Sequence, residues 1–270
     1  MDLRGLQLDD LQINSILLQN PPRSIHTLRL QDNQLSPKII KKLVHRQSTQ
    51  QIRSLSLQNN SITDLGIKYL CTYPALGEIK ELHLERTSIS PYGFQLLSQK
   101  KEFQPQILSI GFNKISPEIA IHIASLSSLE YLDMQHMDLE PETVSKILER
   151  TKAKVVKLGG NHIAFPKRGL SKSIKELFLE VNNPRPEHTL QQKQVQQLAR
   201  LKAPGLQKLY LGKVFVSNEE LLTLTRSPWF AQLDFLSLSA PQNDMTTRQT
   251  FLQRYGDHRW MYINKNDFSD

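Results

Sequence analysis

His83 stands between Glu81 and Glu85, and alternate residues of an extended segment share one face, so the three make an acid–base trio. Proton transfer by such a trio needs a reacting group and a pocket beside it, and the sequence offers neither, so the trio reads as a polar patch. The eight histidines are dispersed, with no His-x-x-x-His or Cys-x-x-Cys pair to hold a metal. Gly159-Gly160 reads as a turn and not as a phosphate cradle, and no Gly-x-Ser-x-Gly elbow is present. Cys71 is the one cysteine; beside Ile67 and Leu70 in a helix-like stretch it reads as a packing thiol, and it fits a reducing, cytoplasmic compartment. The reading is a chain that is not an enzyme and takes no metal or cofactor.

Binding chemistry is better represented. Large rings and charges alternate with buried leucines in the second half: Tyr131, Asp133 and nearby His136; Lys157; Glu176, Phe178 and Glu180; Lys208 and Tyr210; Phe235. Aromatic anchors within a charged surround are what a protein-binding hot spot requires, and these residues form the expected partner-binding set. The equivalent positions earlier are small and polar: Thr27 and Arg29, Ser54 and Ser56, Ser109 and Gly111.

These positions are defined by a repeat. Against Leu-x-x-Leu-x-Leu-x-x-Asn-x-Leu the chain gives ten registers, the clearest being Ile52, Leu55, Leu57, Asn60, Ile62. An amino-terminal copy is assigned to Leu3, Leu6, Leu8, Leu11 and Ile13, 22 residues before the next. Periods near 27 leave room for a helix after each strand. Ser36-Pro37, Ser90-Pro91 and Ser116-Pro117 each set a capping hydroxyl before a proline at the first helical position, and Ser217 with Glu220 makes a capping box. Asn33, Asn60, Asn113, Asn161 and Asn182 carry both donors and an acceptor, so they are expected to bond turn backbone between coils.

The strand-plus-helix unit resembles the leucine-rich-repeat superfamily over roughly residues 1–243, and its longer periods resemble the ribonuclease-inhibitor type. That resemblance implies an α/β, right-handed horseshoe solenoid of about ten repeats, with parallel strands on the concave face and helices on the convex one. It also implies protein recognition on the concave face, in the form of masking or inhibiting an enzyme. In composition the chain is similar to repeat proteins that intracellular bacterial pathogens deliver into host cells.

The repeat is irregular in two places. Between Ala153 and Ile174, Pro166 and Gly169 predict an extended segment in place of a helix. The next repeat carries an Asn183–His188 insertion, expected to form a wall beside the concave face, then a helix from about Leu190 to Leu201. Residues 244–270 read as a carboxy-terminal cap and tail: a helix from Met245 to Tyr255, then Trp260 and Tyr262. No apolar run is long enough for a membrane span, and the first ten residues contain no signal-like apolar core. A net charge of +8 permits an alternative: a scaffold for nucleic acid or an acidic surface. The mixed signs of the concave set oppose a phosphate-tracking groove, and the chain is expected to be monomeric alone.

Overall fold

The computed structural model describes residues 1–19, 24–179, 192–212 and 223–238. It divides into two compact units, Met1–Met137 and Asp138–Asp270. Nine parallel strands are described, five in the first unit and four in the second, and within each unit they pair in chain order. The Asn183–His188 insertion, Asn182, the Ser217/Glu220 box, the Met245–Tyr255 helix, Trp260 and Tyr262 all lie outside the described residues.

In the first unit, β1 (Thr27–Arg29), β2 (Ser54–Ser56), β3 (Glu81–His83), β4 (Ile107–Ser109) and β5 (Tyr131–Asp133) are three residues each. Their central residues Leu28, Leu55, Leu82, Leu108 and Leu132 are in register and fully buried. α1 (Asp10–Gln19) precedes β1, and between the strands run α2 (Pro37–Leu43), α3 (Thr63–Leu70), α4 (Pro91–Ser98) and α5 (Pro117–Ala124), which lay Ile39/Ile40, Ile67/Leu70, Phe94/Leu97 and Ile123 on the same core. Two expected caps form: the Ser36 and Ser90 hydroxyls accept from the Lys38 and Tyr92 amides, whereas Ser116 makes no side-chain cap bond. A second clip joins coils, because Ser90 donates its amide to Asp64 Oδ1 at 2.8 Å and its hydroxyl to Asp64 Oδ2 at 2.5 Å. Asp10 holds Ser36 in the same way.

The asparagine ladder explains the register. Asn60 Nδ2 donates to Leu57 O and Gln58 O of its own turn and to Leu30 O of the preceding coil, at 2.9–3.1 Å, while its Oδ1 accepts from Leu35 N. Asn113 bridges Leu84 O, Thr87 N and Ile89 N in the same manner, and Asn33 bridges Leu3 O and Leu8 N. The amino-terminal assignment is therefore corrected. Leu3 and Leu8 are the counterparts of Leu30 and Leu35, which makes the first offset 27 residues and not 22, with Asp2 bridged to Arg29. Leu6 and Leu11, assigned to the core, are 56% and 71% exposed. They mimic the leucine spacing, but one falls at the asparagine position and the other on the outside of α1.

In the second unit, α6 (Pro141–Arg150) precedes β6 (Val155–Lys157), and β7 (Glu176–Phe178), β8 (Lys208–Gly212) and β9 (Phe235–Leu238) follow, in register except for a shift between Tyr210 and Gly212 in the β8–β9 pair. No helix lies between β6 and β7, as Pro166 and Gly169 predict. Gly169, at φ +107°, lies so close to Lys202 O that an added Cβ would stand 2.5 Å from it, so only glycine fits that approach. α7 (Gln192–Ala199) is the described part of the expected Leu190–Leu201 helix. Val195 and Leu198 face the core, and buried Trp229 donates its indole N–H to Leu198 O at 2.9 Å.

Candidate partner-binding face

Strand residues on either side of each buried leucine point away from the helices, so every strand offers two or three positions on an open face. Parallel pairing then lines those positions up at a spacing of about 4.8 Å. Flat side chains at one register position on neighbouring strands are thereby brought to stacking distance without any further device.

The second unit uses this. Lys157, Phe178 and Tyr210 occupy one register row of β6, β7 and β8. The Phe178 and Tyr210 rings stack at 3.9 Å between centroids, 7° from parallel. Phe235 leans on the other side of Tyr210 at 4.9 Å and 35°. The Lys157 ammonium lies 5.0 Å from the Phe178 centroid. Beside this row, Lys208 donates to Glu176 Oε1 at 2.9 Å, which raises the lysine pKa above its ordinary value through that hydrogen bond and the attending charge. All six side chains are half-buried. Glu180 lies outside the described residues.

The rings hold one another, each stacked pair being worth about 0.5–1.5 kcal/mol, and the folding core beneath them is complete without them. The faces of Phe178 and Tyr210 are occupied, by neighbouring rings and by Lys157, so the row presents ring edges outward. That is a pre-ordered apolar strip with little rotamer freedom left to lose on contact.

The first unit is different. Ser56, Ser109 and Asp133, at one register position, are buried on the open face. Asp133 was expected as an accessible charge; it is 8% exposed, and its Oδ1 accepts from the Gln135 amide, closing the turn. Tyr131 is half-buried, in register with Ile107 and Glu81. Of the His83 trio, Glu81 and His83 share β3, whereas Glu85 falls in the turn after it. Ser54 donates to Glu81 at 2.8 Å, and burial pushes the His83 pKa below its ordinary value, with Glu81 opposing and Arg29 adding to the drop. Among the described residues, no group of three or more His, Cys, Asp or Glu could hold a metal ion. Cys71 is half-buried, and burial raises its thiol pKa, which leaves it the poorer nucleophile.

His136 belongs to a feature that the repeat pattern hides. The residue before each ladder position adopts the left-handed backbone: Gly5, Asp32, Asn59, Arg86, Phe112 and His136 have φ between +52° and +67°. Glycine, Asn and Asp suit that conformation, whereas Arg, Phe and His hold it at a cost of about 1–2 kcal/mol each. The last three stack: Arg86 Cζ lies 3.9 Å from the Phe112 centroid, and Phe112 meets His136 at 4.4 Å and 22°. Arg86 and Phe112 were not among the expected binding residues. Their signal is positional, since each directly precedes the Thr87 or Asn113 rung.

Residues 50–71 match the family model described as Leucine Rich repeat, and that stretch carries β2, Asn60 and α3. No curated protein matches the chain. The match supports a place in the leucine-rich-repeat superfamily, and with nine parallel strands alternating with helices the fold is an α/β leucine-rich-repeat solenoid. Repeats of this kind commonly serve as protein-interaction modules. No described helix is long and apolar enough to cross a membrane.

Proposed function

We propose that this chain is a protein-binding module whose second unit grips a partner protein on its open strand face, with Phe178, Tyr210 and Phe235 as anchors. The observation that carries the reading is the pre-stacked row itself: three rings set edge-outward on strands that have no packing need for them. Hot spots are built from such rings within a polar surround, here Lys157, Lys208 and Glu176. In the first unit, by itself, Tyr131 and His136 are assigned to partner binding, with Asp133 as a support for the turn there rather than a contact. Glu180 is assigned to the same set from its place in the sequence.

The consequence for the partner is occlusion. Binding on an open face covers what is held, and masking of an enzyme, the mode suggested by the resemblance to the ribonuclease-inhibitor type, is the form we favour. Delivery into a host cell remains a suggestion of composition alone. A second reading, nucleic-acid binding, draws on the +8 charge. Bases bind aromatic side chains through their faces, and here the faces of Phe178 and Tyr210 are already occupied.

The test is affinity capture with quantitative mass spectrometry on three chains: wild type, Tyr210→Ala and Ser54→Ala. A polypeptide retained by wild type and Ser54→Ala but lost from Tyr210→Ala is the expected outcome. Equal capture by all three, or capture that survives in Tyr210→Ala and falls with nuclease treatment, would overturn the reading.

A further inference from the structure

The net charge has an address. Residues 150–208 contain 13 of the 34 basic residues but only 3 of the 26 acidic ones, leaving 21 basic and 23 acidic elsewhere, so this stretch supplies the whole positive excess. The fold gathers it. Lys175 and Glu176 donate their amides to Lys154 O, and Gln207 and Lys208 donate theirs to Lys175 O, so the residues entering successive strands are neighbours. Ser171 bonds Thr151 O beside Lys152, Gly205 abuts Lys172 O, and Leu170 bonds Lys202 O. Lys152, Lys154, Lys172, Lys175 and Lys202 therefore line one edge of the second unit, across three coils, where the strands begin.

Lys152, Lys154, Lys172 and Lys202 are exposed, and Lys175 is half-buried. Among the described residues, Lys152, Lys172, Lys175 and Lys202 make no ion pair. The acidic groups nearby are Glu176, which is held by Lys208 at 2.9 Å, Glu149, 3.9 Å from Arg168, and Asp234, which takes the strand-entry place in the coil after Gln207. Such a same-sign edge opposes its own assembly through like-charge repulsion, a cost that folding alone does not require. The edge runs straight into the aromatic row: Lys154 lies three residues from Lys157, and Lys175 three from Phe178, roughly 10 Å along an extended chain.

We infer that the edge docks an acidic segment of the partner protein, next to apolar side chains that meet the Phe178–Tyr210–Phe235 row. The inference rests on the protein-binding reading above and names the chemistry of the partner. Phosphate polymers fit less well, because they offer no apolar counterpart to the ring edges and the occupied faces of Phe178 and Tyr210 offer bases no stacking site. Among the described residues, all the large apolar side chains that stand exposed lie in the first unit, and the rings beside the basic edge are half-buried and packed on one another, which leaves little apolar surface to insert into a bilayer. The lysines act as a steering field, raising the association rate at low salt, while the rings set the dissociation rate.

The experiment uses fluorescence anisotropy with the full chain and four probes. These are a labelled peptide alternating Glu/Asp with Leu, the same peptide with Gln/Asn for Glu/Asp, a single-stranded oligothymidylate, and phosphatidylserine vesicles. The acidic peptide is expected to bind tightest. The triple substitution Lys152→Glu, Lys172→Glu, Lys202→Glu should weaken it at least about tenfold near 50 mM salt and far less near 500 mM, where screening removes the field. Tyr210→Ala should weaken it at both salt concentrations. Tighter binding of the oligonucleotide or of the vesicles overturns the inference, as does peptide affinity unchanged by the triple substitution in a chain whose circular dichroism is native. An edge effect with no Tyr210→Ala effect would uphold the edge and remove the ring row from the partner site, so the two readings fail separately.

Discussion

The two units build their open faces by opposite means. In the first, coils repeat at near-constant length, and the asparagine ladder bonds one turn to the next. At one register position its face carries Ser56, Ser109 and Asp133, small or polar groups that the fold buries. In the second, one coil lacks its helix and the positive charge accumulates, and there the face carries stacked rings. Regular coils spend their side chains on holding one another; irregular ones carry groups that the scaffold does not use. The difference teaches where recognition is to be sought: where a side chain exceeds what its coil needs.

The comparison breaks most visibly in the core. Leu55→Asp in the first unit and Leu177→Asp in the second each bury an unpaired carboxylate at a fully buried site, and each should cost at least about 4 kcal/mol. Denaturant melts showing a small loss for either would remove that strand from the solenoid. The contrast sharpens on the faces. Phe178→Ala and Tyr210→Ala should each weaken the captured partner by about 2–4 kcal/mol, roughly 30- to 1,000-fold, while Ser54→Ala should cost less than about 0.5 kcal/mol. Titration calorimetry that ranks Ser54 above Tyr210 would reverse the assignment of the two faces.

Smaller effects test the ladder. Asn60→Ala strands buried backbone groups on two coils and should cost about 2–3 kcal/mol in thermal or urea unfolding. Asp64→Ala, which frees only the half-buried Ser90 clip, should cost about 1 kcal/mol. The smallest effect is a slope. The His83 pKa is depressed in the fold, so the unfolded chain takes up a proton first as pH falls through the ordinary histidine value near 6.5. His83 therefore makes stability decline from that pH downward, and His83→Gln should flatten the melting temperature against pH over this window. An unchanged slope would show that His83 is not the group responsible.

Much of the fold was legible because its determinants are local and periodic. Leu28, Leu55 and Leu82 recur at one spacing, and Ser36-Pro37 and Ser90-Pro91 mark helix starts. The amino-terminal register was misread because Leu6 and Leu11 copy the spacing, whereas the true register is set by Asn33 reaching back to Leu3 and Leu8. The aromatic row could be read from strand alternation alone. The burial of Asp133 could not, since it depends on a turn bond to Gln135. The Arg86–Phe112–His136 stack depends on a left-handed backbone that leucine counting does not report. The basic edge was invisible as a motif because its lysines are scattered between residues 152 and 202 and become neighbours only through coiling.

The reach of the ladder also sets a timetable. Asn33 completes the hydrogen bonds of the turn at Leu3–Leu8, Asn60 those at Leu30–Leu35, and Asn113 those at Leu84–Ile89, each bond spanning about one coil. Each of these three turns is thus finished by the coil made after it. On the ribosome a coil must wait, with polar turn groups still in water, until one further coil has emerged, and then it closes through contacts of short sequence separation. Assembly follows the order of synthesis, one coil behind it, with no need for distant parts of the chain to find each other.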